Sequence, residues 1–340
     1  MKIIKHITII LLLILISVLF SCKKLSVYKF STFLMGTIVN LTIVVNSGTE
    51  AQKLSEGVFS EVRRIEGLMS PYNPDSDIFR VNCFAWKRPV KISEETLNLI
   101  QSSIDLSSQT DGSFDITFAS LSGIWNFNES FKPPSRGILS KYLPFVNYKF
   151  IEINLNDSCV RLSRKGTKIG LGGIAKGHAI NRGLMYLKDM GVKSAIVEAG
   201  GDLQVLGGKF GKHWQVGLVH PRSKEIFLVL LLHDMDSIAT SGDYERFVMY
   251  KKKRYHHLIN PETGFPAQTF ASMSIISDDA VLSDSMATAL FVMGEKRSRK
   301  FLSQNRGVLS IMIDKEMKVS ASKELKERIF SQDKIEIKWF

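Results

Sequence analysis

An α+β arrangement, with mixed or antiparallel sheets and helices packed on them, is the fold class this sequence predicts. Three observations lead there. Strand and helix patterns alternate irregularly, without the strict β-α-β rhythm of a doubly wound parallel sheet. No internal repeat or low-complexity linker interrupts the 340 residues, which suit one large domain or two interlocked ones. Hydrophobic residues make up 44% and charged residues 23%, ordinary for a globular chain and wrong for a disordered or fibrous one.

The first residues stand apart from the fold. Lys2 and Lys5 precede a nearly unbroken apolar run from Ile7 to Phe20, too short for a comfortable transmembrane helix. Leu19-Phe20-Ser21-Cys22 then reads as a bacterial lipobox, cut before Cys22 and acylated on its thiol; a plain secretory signal cut near Ser21 is the alternative. Either way the chain is expected to be exported, and acyl chains on Cys22 would hold it at a membrane surface. The expected organisation is a leader over 1–21, a tether over 22–26 and one domain over 27–330.

Val27 to Val45 reads as extended, with β-branched and aliphatic residues dominating. A helix is expected from about Thr49, where Leu54, Val58, Val62, Ile65 and Leu68 share a face, ending near Ser70-Pro71. Ser93 caps a second helix, with Glu94 and Glu95 in its first turn and Leu97, Ile100 and Ile104 on its apolar face; Thr110-Asp111-Gly112 breaks it. Short strands and turns are expected over 115–170. A helix follows Gly172-Gly173 and runs through Met190. Strands are expected at Ser194–Val197, Trp214–Val219 and Ile226–Leu232, a last clear helix at Leu282–Met293, and a hairpin at Val308–Ile313 and Met317–Ser320.

The net charge of +12 would suit a polyanionic partner. Lys and Arg are nevertheless spread along the chain, with no basic run interleaved with stacking aromatics, so nucleic acid is set aside. Such a surface can still attract a small anionic substrate. Cys83 and Cys159 form no CxxC or Cys/His pair, which argues against zinc and leaves open whether they pair or stay buried thiols.

Six segments can carry chemistry. Leu171–Asn181 puts glycines and Lys176 at a helix start, an arrangement that suits phosphate or simply packs a tight turn. Glu198-Ala199-Gly200-Gly201-Asp202 follows a strand and reads first as a bulge or turn. Thr240-Ser241-Gly242-Asp243-Tyr244 reads as a hydroxyl-rich loop that binds phosphate or simply makes a turn. His256 and His257, adjacent on an extended segment, should point oppositely, one as a proton acceptor and one structural. Asp284 and Thr288, four apart on a helix, offer hard oxygens to magnesium, or else an N-cap Asp beside a buried Thr. Tyr72, in the loop after the first helix, can stack on a planar ring or merely pack.

In this order along the chain, these segments resemble the ApbE family of FAD:protein FMN transferases. The matching pieces are Met35-Gly36-Thr37 in the first strand, Met69-Ser70-Pro71-Tyr72, Thr110 to Thr117 followed by Trp125, Gly173 to His178, Gly200-Gly201-Asp202, Trp214 to Pro221, Thr240 to Tyr244, His257 to Gly264 and Asp284 to Gly294. The resemblance covers about 30–320 and implies the ApbE-like, T-fold-related architecture. Met35 and Tyr72 would lie along the isoalloxazine ring of FAD. The turn from Asp111 through Phe114 to Asp115, with Trp125, would shape the flavin pocket. Lys176, His178 and the Gly173–Gly177 backbone would hold the pyrophosphate and adenosine portion, with Thr240, Ser241 and Gly242 in the same cleft. Asp284, Thr288 and the Ala175 carbonyl would bind Mg2+, and His257 would be the general base.

The sequence departs from the family pattern at Asn181, where a neutral amide replaces the usual Asp and weakens the expected adenosine contact, and at Asn260, where either residue shapes the turn equally well. The expected reaction moves FMN from FAD to a Thr or Ser hydroxyl of an acceptor protein and releases AMP. The resemblance implies a redox-pump subunit or an extracytoplasmic electron carrier as acceptor, at the periplasmic side of a bacterial inner membrane. FAD hydrolysis to FMN and AMP is the alternative reaction. A non-catalytic FAD-binding lipoprotein is the alternative of another class, and the retained Asp284, Thr288 and His257 argue against it.

Overall fold

Strands β1 (Ser26–Leu34) and β2 (Thr37–Val45) form an antiparallel hairpin in the computed structural model, which describes residues 24–125, 127, 131–331 and 335–340. The expected extended stretch is therefore two strands, and Met35-Gly36 is the turn between them rather than part of the first. Both residues have positive φ, +54° and +69°, the backbone twist that a two-residue hairpin turn requires. Cys22 lies outside the described residues.

Helix α1 (Gly48–Met69) is capped by Ser47 and buries Leu54, Val58, Val62 and Ile65, as its spacing predicts. Helix α2 (Asp77–Phe84), capped by Ser76, follows the proline loop. A short β3 (Val90–Lys91) leads into α3 (Glu94–Gln109), which Ser93 caps and Asp111 (φ +49°) and Gly112 (φ +73°) terminate. The next stretch holds more helix than its sequence suggests: a 3-10 turn at Ile116–Leu121 and α4 (Arg136–Tyr142) precede β4 (Ile151–Asn154) and β5 (Cys159–Leu162). Cys83 and Cys159 are both free thiols.

Helix α5 (Ala175–Asp189) then leads to β6 (Ala195–Ala199) and β7 (Asp202–Leu206), joined by a turn with Gly200 at φ +61° and Gly201 at φ +91°. Strands β8 (Trp214–Val219) and β9 (Ile226–Leu232) match their predicted bounds. Next come β10 (Ser237–Gly242), β11 (Phe247–Tyr250), β12 (Lys253–His256), β13 (Phe270–Ser277) and α6 (Ala280–Met293). A further helix, α7 (Glu295–Gln304), follows what the sequence suggested was the last. The expected hairpin is β14 (Leu309–Asp314) with β15 (Val319–Ala321), and β16 (Ile329–Phe330) and β17 (Ile337–Trp339) complete the chain.

One nine-stranded sheet organises the molecule, in the order β1-β2-β6-β7-β10-β13-β14-β15-β17. Every pairing is antiparallel except that of β15 with β17. Strand β17, past residue 330, joins the sheet by pairing with Val319–Ala321. One face carries α1, α5 and α6 over a core that includes Leu41, Val58, Leu184, Ile275 and Leu290. The other face packs Leu203, Val205, Ile276 and Ile311 against Leu228, Leu230 and Leu232 of the smaller β16-β9-β8 sheet. Strand β13 is buried along its whole length, as expected for a central strand covered on both faces. A satellite aromatic cluster gathers Trp125, Phe127, Phe131, Tyr255 and Phe265. Among the described residues no helix is long and apolar enough to cross a membrane.

Candidate active site

Helices α5 and α6 meet where Gly177 faces the first turn of α6. A Cβ at that position would stand 2.1 Å from the Ala280 carbonyl oxygen and 2.9 Å from the Asp284 Cβ, so glycine is what lets the two backbones touch. The start of α5 has no side-chain cap of its own. Asp284 supplies one from the neighbouring helix, its Oδ2 accepting the Gly177 N–H at 2.9 Å. A carboxylate at a helix N-terminus also meets the positive end of its dipole. The cap of α6 itself is Asp279, which accepts from the Val281 N–H, so the alternative of Asp284 as an N-cap for its own helix is excluded.

Lys176 sits between two buried carboxylates. Its ammonium pairs with Asp202 and lies 3.2 Å from Asp284 Oδ1. Burial alone would lower the Lys176 pKa, but the two carboxylates outweigh it and hold the ammonium charged. Burial raises the Asp202 carboxyl; Lys176 opposes this and the Asp284 charge adds to it. Two carboxylates sharing one ammonium leave a buried net charge of about −1, an environment that suits a further cation. Asp202 is also held in plane by the Thr240 N–H at 2.9 Å.

Around this cluster stand more hard oxygens. The hydroxyls of Ser241 and Thr288 are 3.3 Å apart, and Gly173 lies against Thr288 and Phe114. Carboxylate and hydroxyl oxygens from Asp284, Thr288 and Ser241, with Asp202 adjacent, are the donor chemistry magnesium takes when phosphates and water fill its remaining positions. Among the described residues there is no cluster of three or more His, Cys, Asp or Glu of the kind that holds a metal by protein ligands alone. The residues present thus fit magnesium shared with a phosphate.

The adjacent histidines do point apart. His256 is fully buried, 2.8 Å from the Ala267 carbonyl oxygen, and burial pushes its pKa down to about 4. His257 is partly exposed. Burial also takes it to about 4, with the charges of Arg246 and Lys176 acting in the same direction. Its Nδ1 lies 3.3 Å from the Arg246 carbonyl, and donation there leaves Nε2 as the acceptor of a neutral ring. Arg246 also reaches the Gly36 carbonyl at 3.4 Å, bringing the Met35-Gly36 turn alongside the histidine segment.

Other expected residues sit further off. The 240–242 segment is the end of β10, not a loop, so its side chains alternate. Ser241 faces Thr288, whereas Thr240 bonds Ser274 on the opposite face and does not share that cleft. Gly242 accommodates the Tyr244 ring, which a Cβ there would meet at 2.4 Å. His178 pairs with Glu95 at 2.9 Å, beside Arg64 and Arg182, away from the Lys176 cluster. Asn181 is half-buried further along α5. Asp115 is consumed internally, accepting from both Thr117 groups and from the Tyr148 N–H. Burial raises its pKa against those bonds. Asp111 is exposed in its turn, and Phe114 lies in the core. Trp125 donates to the Gly264 carbonyl at 2.9 Å and so braces the loop that follows His257. Met35 gives its N–H to Glu66 at 2.8 Å, and Tyr72 is 87% exposed, free to cover a planar ligand.

Two carboxylates escape a reading of the sequence. Asp202 was visible only as the end of a glycine turn. Asp243, fully buried, accepts a bidentate pair from Arg222 at 2.7 and 3.0 Å and further bonds from Arg254 and Lys315. Burial would raise its pKa, but Arg222 and Lys315 outweigh that cost and lower it.

The ApbE family profile matches residues 35–313. A FAD:protein FMN transferase of Treponema pallidum is 28% identical over 321 residues, spanning 89% of this chain and 88% of its own. One from Klebsiella pneumoniae is 27% identical over 292 residues, spanning 85% and 90%. Among solved structures, the ApbE protein of Thermotoga maritima superposes with a TM-score of 0.83 at 32% identity, covering 91% of this chain and 100% of the other. The flavin transferase ApbE of Vibrio cholerae superposes with a TM-score of 0.79 at 25% identity, covering 90% and 100%.

Proposed function

Because the chain belongs to the ApbE family, we propose that it is a magnesium-dependent transferase that moves FMN from FAD to a threonine or serine hydroxyl of an acceptor protein and releases AMP. The observation that carries this reading is the Lys176 ammonium, held between Asp202 and Asp284 at the start of α5.

The P–O–P link of FAD resists attack because its charged oxygens repel a nucleophile. Lys176 offsets one of the two carboxylates beside it, so the charge that remains would seat magnesium and, through it, the pyrophosphate. When bound through Asp284, Thr288 and the Ala175 carbonyl, magnesium would supply further charge neutralisation at the phosphates and the departing AMP. His257, neutral and with Nε2 available, would take the hydroxyl proton as the acceptor oxygen bonds the FMN-side phosphorus. The bridging P–O bond to AMP breaks in the same displacement. Tyr72 and Met35 would flank the isoalloxazine. The Leu19–Cys22 motif supports a lipoprotein on the periplasmic face of a bacterial inner membrane, where the acceptor would be a redox-pump subunit or an extracytoplasmic electron carrier.

The test incubates the chain with FAD and magnesium, with and without an acceptor domain, and follows AMP, FMN and acceptor mass together. Transfer predicts FMN mass on the acceptor and AMP only in its presence. AMP and FMN without acceptor would make the chain a hydrolase. FAD returned intact in both arms would leave a carrier. His257→Ala should lower transfer by at least about a hundredfold; full activity in that variant removes His257 from the reaction.

A further inference from the structure

The loop between β7 and β8 is a hairpin tip built against backbone preference. Lys209 and Lys212 bridge it, the Lys212 N–H donating to the Lys209 carbonyl at 3.0 Å. The two residues between them, Phe210 and Gly211, both have positive φ, +50° and +79°. Glycine or asparagine takes the first of these positions easily, whereas a bulky aromatic there is strained. Phe210 recovers little of that cost within the fold, since it is 55% exposed. It stands at the apex with a lysine on either side.

The tip borders the start of the domain. Val27 and Lys29 of β1 line one open groove of about 590 Å³ together with Lys209, Phe210, Lys212 and His213. Asp234 accepts the Gly207 N–H at 2.6 Å. Strand β1 begins at Ser26, four residues after Cys22. Four extended residues reach about 14 Å at most. An acylated Cys22 would therefore hold the start of β1, and the groove beside it, against the bilayer surface.

We propose that this face, with Phe210 as its wedge and Lys29, Lys209 and Lys212 as its charges, docks on an anionic lipid surface and fixes how the anchored domain stands on the membrane. The proposal rests on the lipid-anchor reading of Cys22. An aromatic at an apex flanked by lysines is the arrangement that enters a headgroup region while the ammoniums meet lipid phosphates.

The experiment places a reporter at the tip. The full acylated chain carrying Phe210→Trp is reconstituted into vesicles of phosphatidylglycerol and phosphatidylcholine with brominated acyl chains, and its emission is compared with that of the unsubstituted chain. Docking predicts that the added indole is quenched, and that the quenching disappears in pure phosphatidylcholine or with Lys209→Glu and Lys212→Glu. Without the acyl chains, each lysine should contribute roughly fivefold to vesicle partitioning. A chain that floats with the vesicles while the added indole stays unquenched keeps its anchor and overturns the docking face. Quenching that ignores lipid charge overturns the role of the lysines. If Cys22 carries no acyl mass, the anchor reading fails. The face then stands only if the unacylated chain still floats with phosphatidylglycerol vesicles, and falls if it does not.

Discussion

Asp284 holds the start of the helix that carries Lys176: one carboxylate oxygen accepts the Gly177 N–H at 2.9 Å while the other lies 3.2 Å from the Lys176 ammonium. One side chain thus serves the fold and the proposed chemistry, and the two roles separate by substitution. Asp284→Asn keeps an acceptor for the Gly177 N–H but removes the charge. It should fold with a modest loss of stability, about 1 kcal/mol, and lose the dependence of turnover on magnesium together with most activity. Asp284→Ala leaves a buried N–H without its partner and should cost about 2–4 kcal/mol in addition. Thermal melts and magnesium titrations of both variants distinguish these outcomes; normal turnover by Asp284→Asn removes Asp284 from the metal site.

Gly177→Ala tests the helix contact directly. The new Cβ would meet backbone at 2.1 Å, where no flexible side chain can move aside. The helices must separate, which should cost about 2 kcal/mol or more in urea denaturation and draw Lys176 away from Asp284. A variant as stable as the parent would show that the α5–α6 approach tolerates displacement.

Much of this arrangement is legible in the sequence, and its gaps have physical causes. Local signals carry well: Ser93 and the turn at Asp111-Gly112 delimit α3, and the i, i+4 spacing of Asp284 and Thr288 places both on one helix face. Lys176 and His178 point to different partners, Asp202 and Asp284 for the one and Glu95 for the other, because residues two apart on a helix do not face one another. The same holds for Thr240 and Ser241 once their segment is recognised as a strand; its hydroxyl-rich, glycine-ended pattern resembles a loop. Asp243 is a different case. Its partners come from the β8–β9 turn, from β12 and from the β14–β15 turn, so only the folded topology brings them together.

That topology makes Asp243 a stability determinant. Asp243→Asn would leave Arg222, Arg254 and Lys315 without their shared counter-charge, and should cost about 3–5 kcal/mol. The native pKa is lowered, so the stabilisation exists above the ordinary carboxylate value near 3.8 and is lost as pH falls through the lower native one. Denaturant melts at neutral pH test this; a change under 1 kcal/mol would mean that the three cations find other partners.

The two histidines predict opposite readouts of one pH range. In the unfolded chain both take up protons near pH 6.5, whereas in the fold both wait until about 4. Between those values the unfolded state binds more protons, so stability falls as pH falls. His256, fully buried, contributes up to about 3 kcal/mol of that loss once pH is below 4. His256→Gln should flatten the slope. Catalysis should behave differently. A base that stays unprotonated down to about pH 4 keeps the free enzyme competent through the range in which an exposed histidine would be silenced. The acid limb of kcat/KM for the acceptor should therefore lie well below 6.5, in conditions where the chain is still folded. An acid limb centred at 6.5 would show that His257 titrates as an exposed imidazole, and that burial and the charges of Arg246 and Lys176 do not set its proton affinity.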